Sequence, residues 1–279
     1  MKIKHLESSV EAVPRLLQMK GFINEIRKHP TKDREGMFLK VFDLSKDDFD
    51  LLLFSGLINP NAEVDTAEKQ LNKMNQLQFA SFIQTELERY QRKYPSGKPV
   101  SFDLFILDEH DDFVKEKLGG VSAFTDWNGR ICFILDPDEK VRSVLKSVIA
   151  HEYHHHWRMS KLGATEENET LLDRMVLEGL AEHFVREELG ETYLGPYKDA
   201  LSEDKARFYL DTKFKTHLFD KGADADPFMF GDKEQNLPFW GGYSIGYYLV
   251  KWFIDRNKNV SIEKLTLLPS EEYIDVFYN

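Results

Sequence analysis

The sequence predicts an α+β fold, mainly helical, with a small sheet lobe ahead of a metal-motif helix and a helical lobe behind it. Strand-like apolar runs cluster between residues 100 and 135. Long segments before and after them carry apolar residues at helical spacing. Residues 141–162, VRSVLKSVIAHEYHHHWRMSKL, read as one amphipathic helix with His151-Glu152-Tyr153-His154-His155 in its middle.

Taken in order, residues 1–60 read as a helical N-terminal extension broken by Pro14, Pro30 and Pro60, with 37–42 open between helix and strand. No chemistry is assigned there. Residues 61–279 form the main domain, 61–162 as the sheet lobe with the motif helix and 163–279 as the helical lobe. Residues 65–91 read as one long helix, with Leu71, Met74, Leu77, Phe82, Ile83, Leu87 and Tyr90 mostly on one side. Pro95, Gly97 and Pro99 end it. Residues 100–107 (VSFDLFIL) read as a strand, and 121–124 with 130–135 as a hairpin turned at Asn128-Gly129.

Asp136 is the expected cap of the motif helix, Pro137 suits its first position, and Asp138 and Glu139 favour the positive end of its dipole. Gly163 is the expected stop. Residues 202–217 read as a charged, solvated helix. The loop 219–242 holds Phe228, Phe230, Phe239 and Trp240, which line a side-chain pocket or form a satellite core. Residues 243–254 read as an amphipathic helix.

Composition excludes several classes. A net charge of −11 argues against a nucleic-acid surface, which needs concentrated Lys and Arg. One cysteine, Cys132, leaves no internal disulfide framework and fits a reducing compartment. The N-terminus carries no apolar signal region and no apolar run exceeds five residues, so no membrane span is expected and the expected location is cytoplasmic.

His-Glu-x-x-His on a helix puts two imidazoles one turn apart on one face, where both reach one ion, and puts the glutamate beside the attacking water. Here His151 and His155 continue the stripe Val141, Val144, Val148, Met159, and Glu152 is the expected general base. His154 and His156 fall off the stripe and read as surface or supporting residues. Arg158, one turn beyond His155, is expected to reach the substrate or to pair with a carboxylate of the next helix, and the ion pair is the favoured reading. A third ligand at position 161 is excluded, because Arg158 and Lys161 replace the Gly and His of the longer His-rich motif. On the following helix Glu178 and Glu182 share an apolar stripe with Leu171, Met175 and Val185, and two carboxylates there demand a cation.

His151 and His155, 22 intervening residues, and then Glu178-Gly179-Leu180-Ala181-Glu182 resemble the gluzincin clan of zinc metallopeptidases. The resemblance implies a zincin-like arrangement, with the sheet lobe above the active helix. It implies one Zn2+ per chain with Glu178 as third ligand, Ala181 as the small position that permits close helix packing, and Glu182 as partner of the free ring nitrogen of His151. Tyr243-Ser244-Ile245-Gly246 resembles the clan's Tyr-x-x-Gly motif, 65 residues after Glu178 (243 − 178), which implies that Tyr243 stabilises the oxyanion. Within the clan, the HEYHHxxR form resembles the YjaZ-like proteins, a bacterial family of predicted zinc-dependent proteases. The resemblance spans about residues 119–250.

The expected function is therefore peptide-bond hydrolysis, with a peptide or an unfolded protein as substrate. The clan's aminopeptidases carry Gly-x-Met-Glu-Asn on an edge strand, whose glutamate grips the free amino group. Residues 119–123 offer Gly-Gly-Val-Ser-Ala instead, which favours internal cleavage. Residues 119–124 are the candidate edge strand for substrate pairing, or else an ordinary hairpin. The alternatives are a zinc hydrolase acting on a non-peptide substrate, and a catalytically inactive zinc-binding regulatory or scaffold protein. Glu152 argues against the latter, since a structural site has no use for a general base.

Overall fold

The short runs rich in Val, Ile and Phe pair into one small sheet, and the remaining regular structure is helical. The computed structural model describes residues 9–278. Among these, β1 (Val10–Ala12), β2 (Val100–Ile106), β3 (Val121–Thr125) and β4 (Ile131–Leu135) form a sheet of order β1-β2-β4-β3. β1 and β4 flank β2 in parallel, and β3 is an edge strand antiparallel to β4.

The helices begin with α1 (Arg15–Lys28), α2 (Arg34–Phe42), α3 (Lys46–Phe54), α4 (Val64–Leu77), α5 (Phe79–Lys93) and α6 (Asp112–Lys117). They continue with α7 (Arg142–Leu162), α8 (Leu171–Leu189), α9 (Glu203–Tyr209), α10 (Asp226–Phe230), α11 (Gly241–Arg256), α12 (Ile262–Leu267) and α13 (Glu271–Tyr278). The class is α+β and mainly helical, as read from the sequence. Two compact units divide the chain: residues 9–93 with Pro99–Ile149, and Tyr94–Lys98 with residues 150–278.

In the first unit the ambiguous stretch 37–42 is helical. The Asp33 side chain caps α2, accepting from the Glu35 and Gly36 N–H groups at 3.2 and 3.0 Å. Phe38 and Phe42 then lie one turn apart and stack at 4.1 Å, with Phe22 edge-on to Phe38 at 5.1 Å. The described part of the first 60 residues thus supplies β1 and α1 to α3 of this unit; its first eight residues lie outside the described ones. The single helix expected over 65–91 is two helices, because Gln78 adopts a left-handed conformation (φ 53°). A straight helix of that length would run about 40 Å, longer than a unit of this size, and the break lets both apolar stripes face one core. Arg142 seals the break, donating to the Leu77 carbonyl at 2.8 Å above the Phe79 and Phe82 rings.

The hairpin turn spans 126–130, so Asn128-Gly129 is not a two-residue loop: Thr125 pairs with Ile131, and Asp126 Oδ1 accepts from the Asn128 and Arg130 N–H groups. The cap before α7 is Asp138, not Asp136. Its carboxylate accepts from the Lys140 N–H at 2.9 Å and opens a short 3-10 turn that runs into α7.

In the second unit Thr170 and Asp173 form a reciprocal capping box that starts α8. Gly163 (φ 66°) ends α7, as expected. Residues 202–217 are not a solvated helix. Ala206, Leu210 and Phe214 recur every four residues and are fully buried, so one face packs inward. The aromatic loop divides. Phe228 is buried and edge-on to Phe214 at 5.1 Å, as a satellite core, whereas Phe230 and Phe239 are exposed.

His154 and His156 are buried rather than at the surface: His154 Nε2 meets Thr266 Oγ1 at 3.1 Å and His156 Nε2 meets Ser96 Oγ at 3.0 Å. Among the described residues, Arg158 makes no carboxylate pair. It donates to the Thr266 and Leu268 carbonyls and to Ser270 Oγ, at the negative end of α12. Only through Ser270, whose hydroxyl donates to Asp173 at 2.6 Å, does it reach an acid of α8.

Candidate metal centre

Helical spacing on α7 brings His151 and His155 together, with ring centroids 4.6 Å apart and nearly perpendicular. α8 then delivers Glu178 between them: its Oε2 lies 2.9 Å from His151 Nε2 and 3.6 Å from His155 Nε2. One donor atom from each of the three residues lies within 4.8 Å of the others. One helical turn further along α8, Glu182 Oε1 meets His151 Nδ1 at 3.0 Å. The second oxygen of Glu182 accepts from the Gly195 N–H at 2.8 Å. His151 is therefore clamped, its Nδ1 fixed on Glu182 and its Nε2 turned toward Glu178. Among the described residues His155 has no such support, since its Nδ1 is buried without a hydrogen-bond partner there.

The charge balance of this cluster calls for a cation. Burial opposes a charge on His151, but the carboxylates of Glu178 and Glu182 outweigh it and hold the imidazole protonated well above its ordinary pKa. Burial likewise raises Glu178, yet His155 and His151 together hold its carboxyl well below the usual carboxylate range. Two carboxylates around one buried imidazole demand positive charge at this point. A divalent ion would supply that charge, and would displace the His151 proton in doing so. The donor set, two imidazoles and a carboxylate, is that of a catalytic zinc site with one position open. Two of its three donor separations, those from Glu178 to His151 and His155 at 2.9 and 3.6 Å, bracket the roughly 3.3 Å edge of a tetrahedron with bonds of about 2.0–2.1 Å. The residues fit a zinc ion.

Glu152 follows His151 on the same helix and is buried at 6% exposure. Tyr243, at the start of α11, is stacked on Tyr197 at 5.0 Å. Burial first, then Glu178, Tyr197 and Glu152, push its phenol pKa well up, which places it in the field of the site's acids. Every site residue singled out from the sequence thus belongs to one neighbourhood: His151, Glu152, His155, Glu178, Glu182 and Tyr243. Ala181, the expected small packing position, is fully buried, but the close approach of α8 and α11 is made by glycines. A Cβ on Gly179 would lie 2.1 Å from the Gly246 carbonyl oxygen, and one on Gly246 would lie 1.9 Å from that of Met175.

Two residues escaped sequence reasoning. Gly195 holds Glu182 through its backbone, and Tyr197 lies with its ring 6.4 Å from that of His151. Neither belongs to a spaced motif; the only sequence signal is a Gly-Pro-Tyr turn shortly after α8. Glu182→Gln is expected to lower zinc affinity about 10- to 100-fold, as measured by competition with a chromogenic chelator. Affinity equal to wild type would show that the Glu182 charge does not support His151.

Residues 79–275 match a family described as Predicted Zn-dependent protease (DUF2268). Over 188 residues the chain is 28% identical to YjfC of Bacillus subtilis (strain 168), an alignment covering 64% of this chain and 61% of that protein. Over 215 residues it is 29% identical to YjaZ of the same organism, covering 74% and 77% respectively. Both are described as uncharacterized proteins, and the chain spans less than two thirds of YjfC. No solved structure matches. Among the described residues, no helix is long and apolar enough to cross a membrane.

Proposed function

From the premise that the chain belongs to this family of predicted Zn-dependent proteases, we propose that it is a zinc peptidase that cleaves peptide bonds internally. The observation that carries the proposal is the convergence of His151, His155 and Glu178 beside the buried Glu152. In this reading His151, His155 and Glu178 hold one Zn2+, which supplies Lewis acidity to the scissile carbonyl and to the attacking water.

The chain's own groups do the rest. Glu182 fixes the His151 ring through Nδ1, leaving Nε2 as the atom that would hold the ion. Glu152 accepts a proton from the attacking water as its oxygen bonds the carbonyl carbon. It returns that proton to the leaving nitrogen as the C–N bond breaks. Tyr243 donates a hydrogen bond to the carbonyl oxygen as negative charge grows there. Glu152 serves both proton transfers, so no other acid is needed.

Internal cleavage is preferred because Gly119 to Ala123 supply no carboxylate to hold a free amino terminus. The substrate class is a peptide or an unfolded protein, and the compartment proposed is the cytoplasm. The test is the metal content of protein purified without added metal, alongside Glu178→Ala and an assay on peptide libraries. About one zinc per chain, lost in the variant, with peptide cleavage abolished by a chelator, is the expected result. Well-folded protein that takes up no zinc even when supplied with it would overturn the proposal, and an inactive scaffold would then stand in its place.

A further inference from the structure

The loop after α8 brings to the metal centre a phenol that no motif announces. Tyr197 lies in the 3-10 turn Pro196–Ala200. Its ring centroid is 6.4 Å from that of His151 and 5.0 Å from that of Tyr243, stacked at 25° on the latter. Trp240 packs edge-on against it at 4.9 Å. Tyr197 therefore bridges the candidate ligand His151 and the tyrosine assigned to the oxyanion.

This placement is over-determined. Before Tyr197, the Gly195 N–H is held by Glu182, the same carboxylate that orients His151. A Cβ at Gly195 would lie 2.8 Å from the Tyr197 ring and 3.1 Å from Glu182 Oε1, so only glycine lets ring and carboxylate share that backbone. After Tyr197, the fully buried Ser244 hydroxyl donates to the Lys198 carbonyl at 3.0 Å and accepts from the Leu201 N–H at 3.2 Å. Ser244 follows Tyr243 directly, so the turn carrying Tyr197 is strapped to the helix carrying Tyr243. Against the same ring, Trp240 keeps a left-handed backbone (φ 55°), a conformation costly for a bulky residue that persists where the surroundings enforce it. A phenol held by two straps and an aromatic wall is preorganised, which is what stabilisation of a developing charge requires.

Its chemistry agrees with the geometry. Burial first, then the carboxylates of Glu178, Glu182 and Glu152, push the Tyr197 phenol pKa up. Among the described residues, no hydrogen bond engages the hydroxyl of Tyr197 or that of Tyr243.

We infer that the Tyr197 hydroxyl is a second hydrogen-bond donor to the scissile carbonyl oxygen, acting with Tyr243 as a phenol pair. The inference rests on the zinc peptidase reading above. The O–H bond stays intact throughout; the phenol only donates as charge moves onto the oxygen.

The experiment compares full-length, zinc-loaded wild type with Tyr197→Phe, Tyr243→Phe and the double variant. Zinc content, the thermal midpoint, kcat and KM on a cleaved peptide, and affinity for a phosphinic pseudotripeptide, whose tetrahedral anion mimics the hydrated carbonyl, are measured on each. Tyr197→Phe is expected to keep its zinc and its midpoint. Its kcat falls about 100-fold and its KM changes by less than about threefold, and the phosphinic ligand binds about 10- to 100-fold more weakly. Wild-type kcat and wild-type phosphinate affinity in Tyr197→Phe overturn the inference. So does a fall in zinc content and midpoint together with a rise in KM, which marks a structural role. Failure of the wild type to cleave any peptide overturns the peptidase reading alone; the phosphinate titration then decides for Tyr197, and equal affinity in wild type and variant sinks it.

Discussion

Glu152→Gln is expected to lose peptide cleavage by about 10²- to 10⁴-fold while still carrying about one zinc per chain. Two features make the loss specific. The residue is 6% exposed, so an isosteric amide keeps the packing that a shorter side chain would forfeit. It stands outside the three-residue donor cluster of His151, His155 and Glu178, so the metal should remain. An amide does not accept a proton at neutral pH, and the two transfers assigned to Glu152, from water and to the leaving nitrogen, both fail together. KM is expected to change little, because a general base contributes to the transition state rather than to the bound substrate. Cleavage at the wild-type rate by zinc-loaded Glu152→Gln would remove Glu152 from the chemistry. Loss of zinc together with loss of activity would instead make it part of the metal site.

The parts of this centre legible in the sequence are those governed by helical periodicity. Four-residue spacing fixes the faces of His151 and His155 on α7 and of Glu178 and Glu182 on α8, and two acids on an apolar stripe signal a cation before any coordinates are seen. The same rule misplaced His154 and His156. Off-stripe positions are solvent-facing only when one side of a helix is buried, whereas residues 150–159 of α7 are buried on every side. The Nε2 atoms of these imidazoles meet Thr266 and Ser96, partners 112 and 60 residues away that no local pattern reveals. The break at Gln78 was equally hidden, because glutamine is an ordinary helix former and only the demands of the core force it to a positive φ. Tyr197 belongs with these. Its position is set by Glu182 through Gly195 and by Ser244 from another helix, all tertiary bonds of a loop.

Gly246→Ala and Gly179→Ala are expected to be the most destabilising single-methyl changes in the second unit. At both positions the added carbon meets a backbone carbonyl oxygen, at 1.9 Å from Met175 O and 2.1 Å from Gly246 O, and no rotamer moves a backbone atom aside. α8 and α11 must separate instead, which opens a core lined by the fully buried Met175, Leu180 and Ile245. Against this, alanine gains about 1 kcal/mol over glycine in a helix. The net cost is expected to reach about 3 kcal/mol or more, a fall of roughly 6–12 °C in the thermal midpoint. Gly21→Ala is the internal control: it also lies within a helix, α1, and a Cβ there meets nothing within 4 Å. It should be neutral or slightly stabilising. The same separation reaches the centre itself, because Gly179 follows Glu178 directly and Gly246 is three residues beyond Tyr243. Zinc affinity and catalysis are therefore expected to fall with stability in Gly246→Ala even where the protein still folds. A wild-type midpoint in Gly246→Ala would mean that the two helices do not cross at this contact, and the placement of Tyr243 beside Glu178 would fall with it.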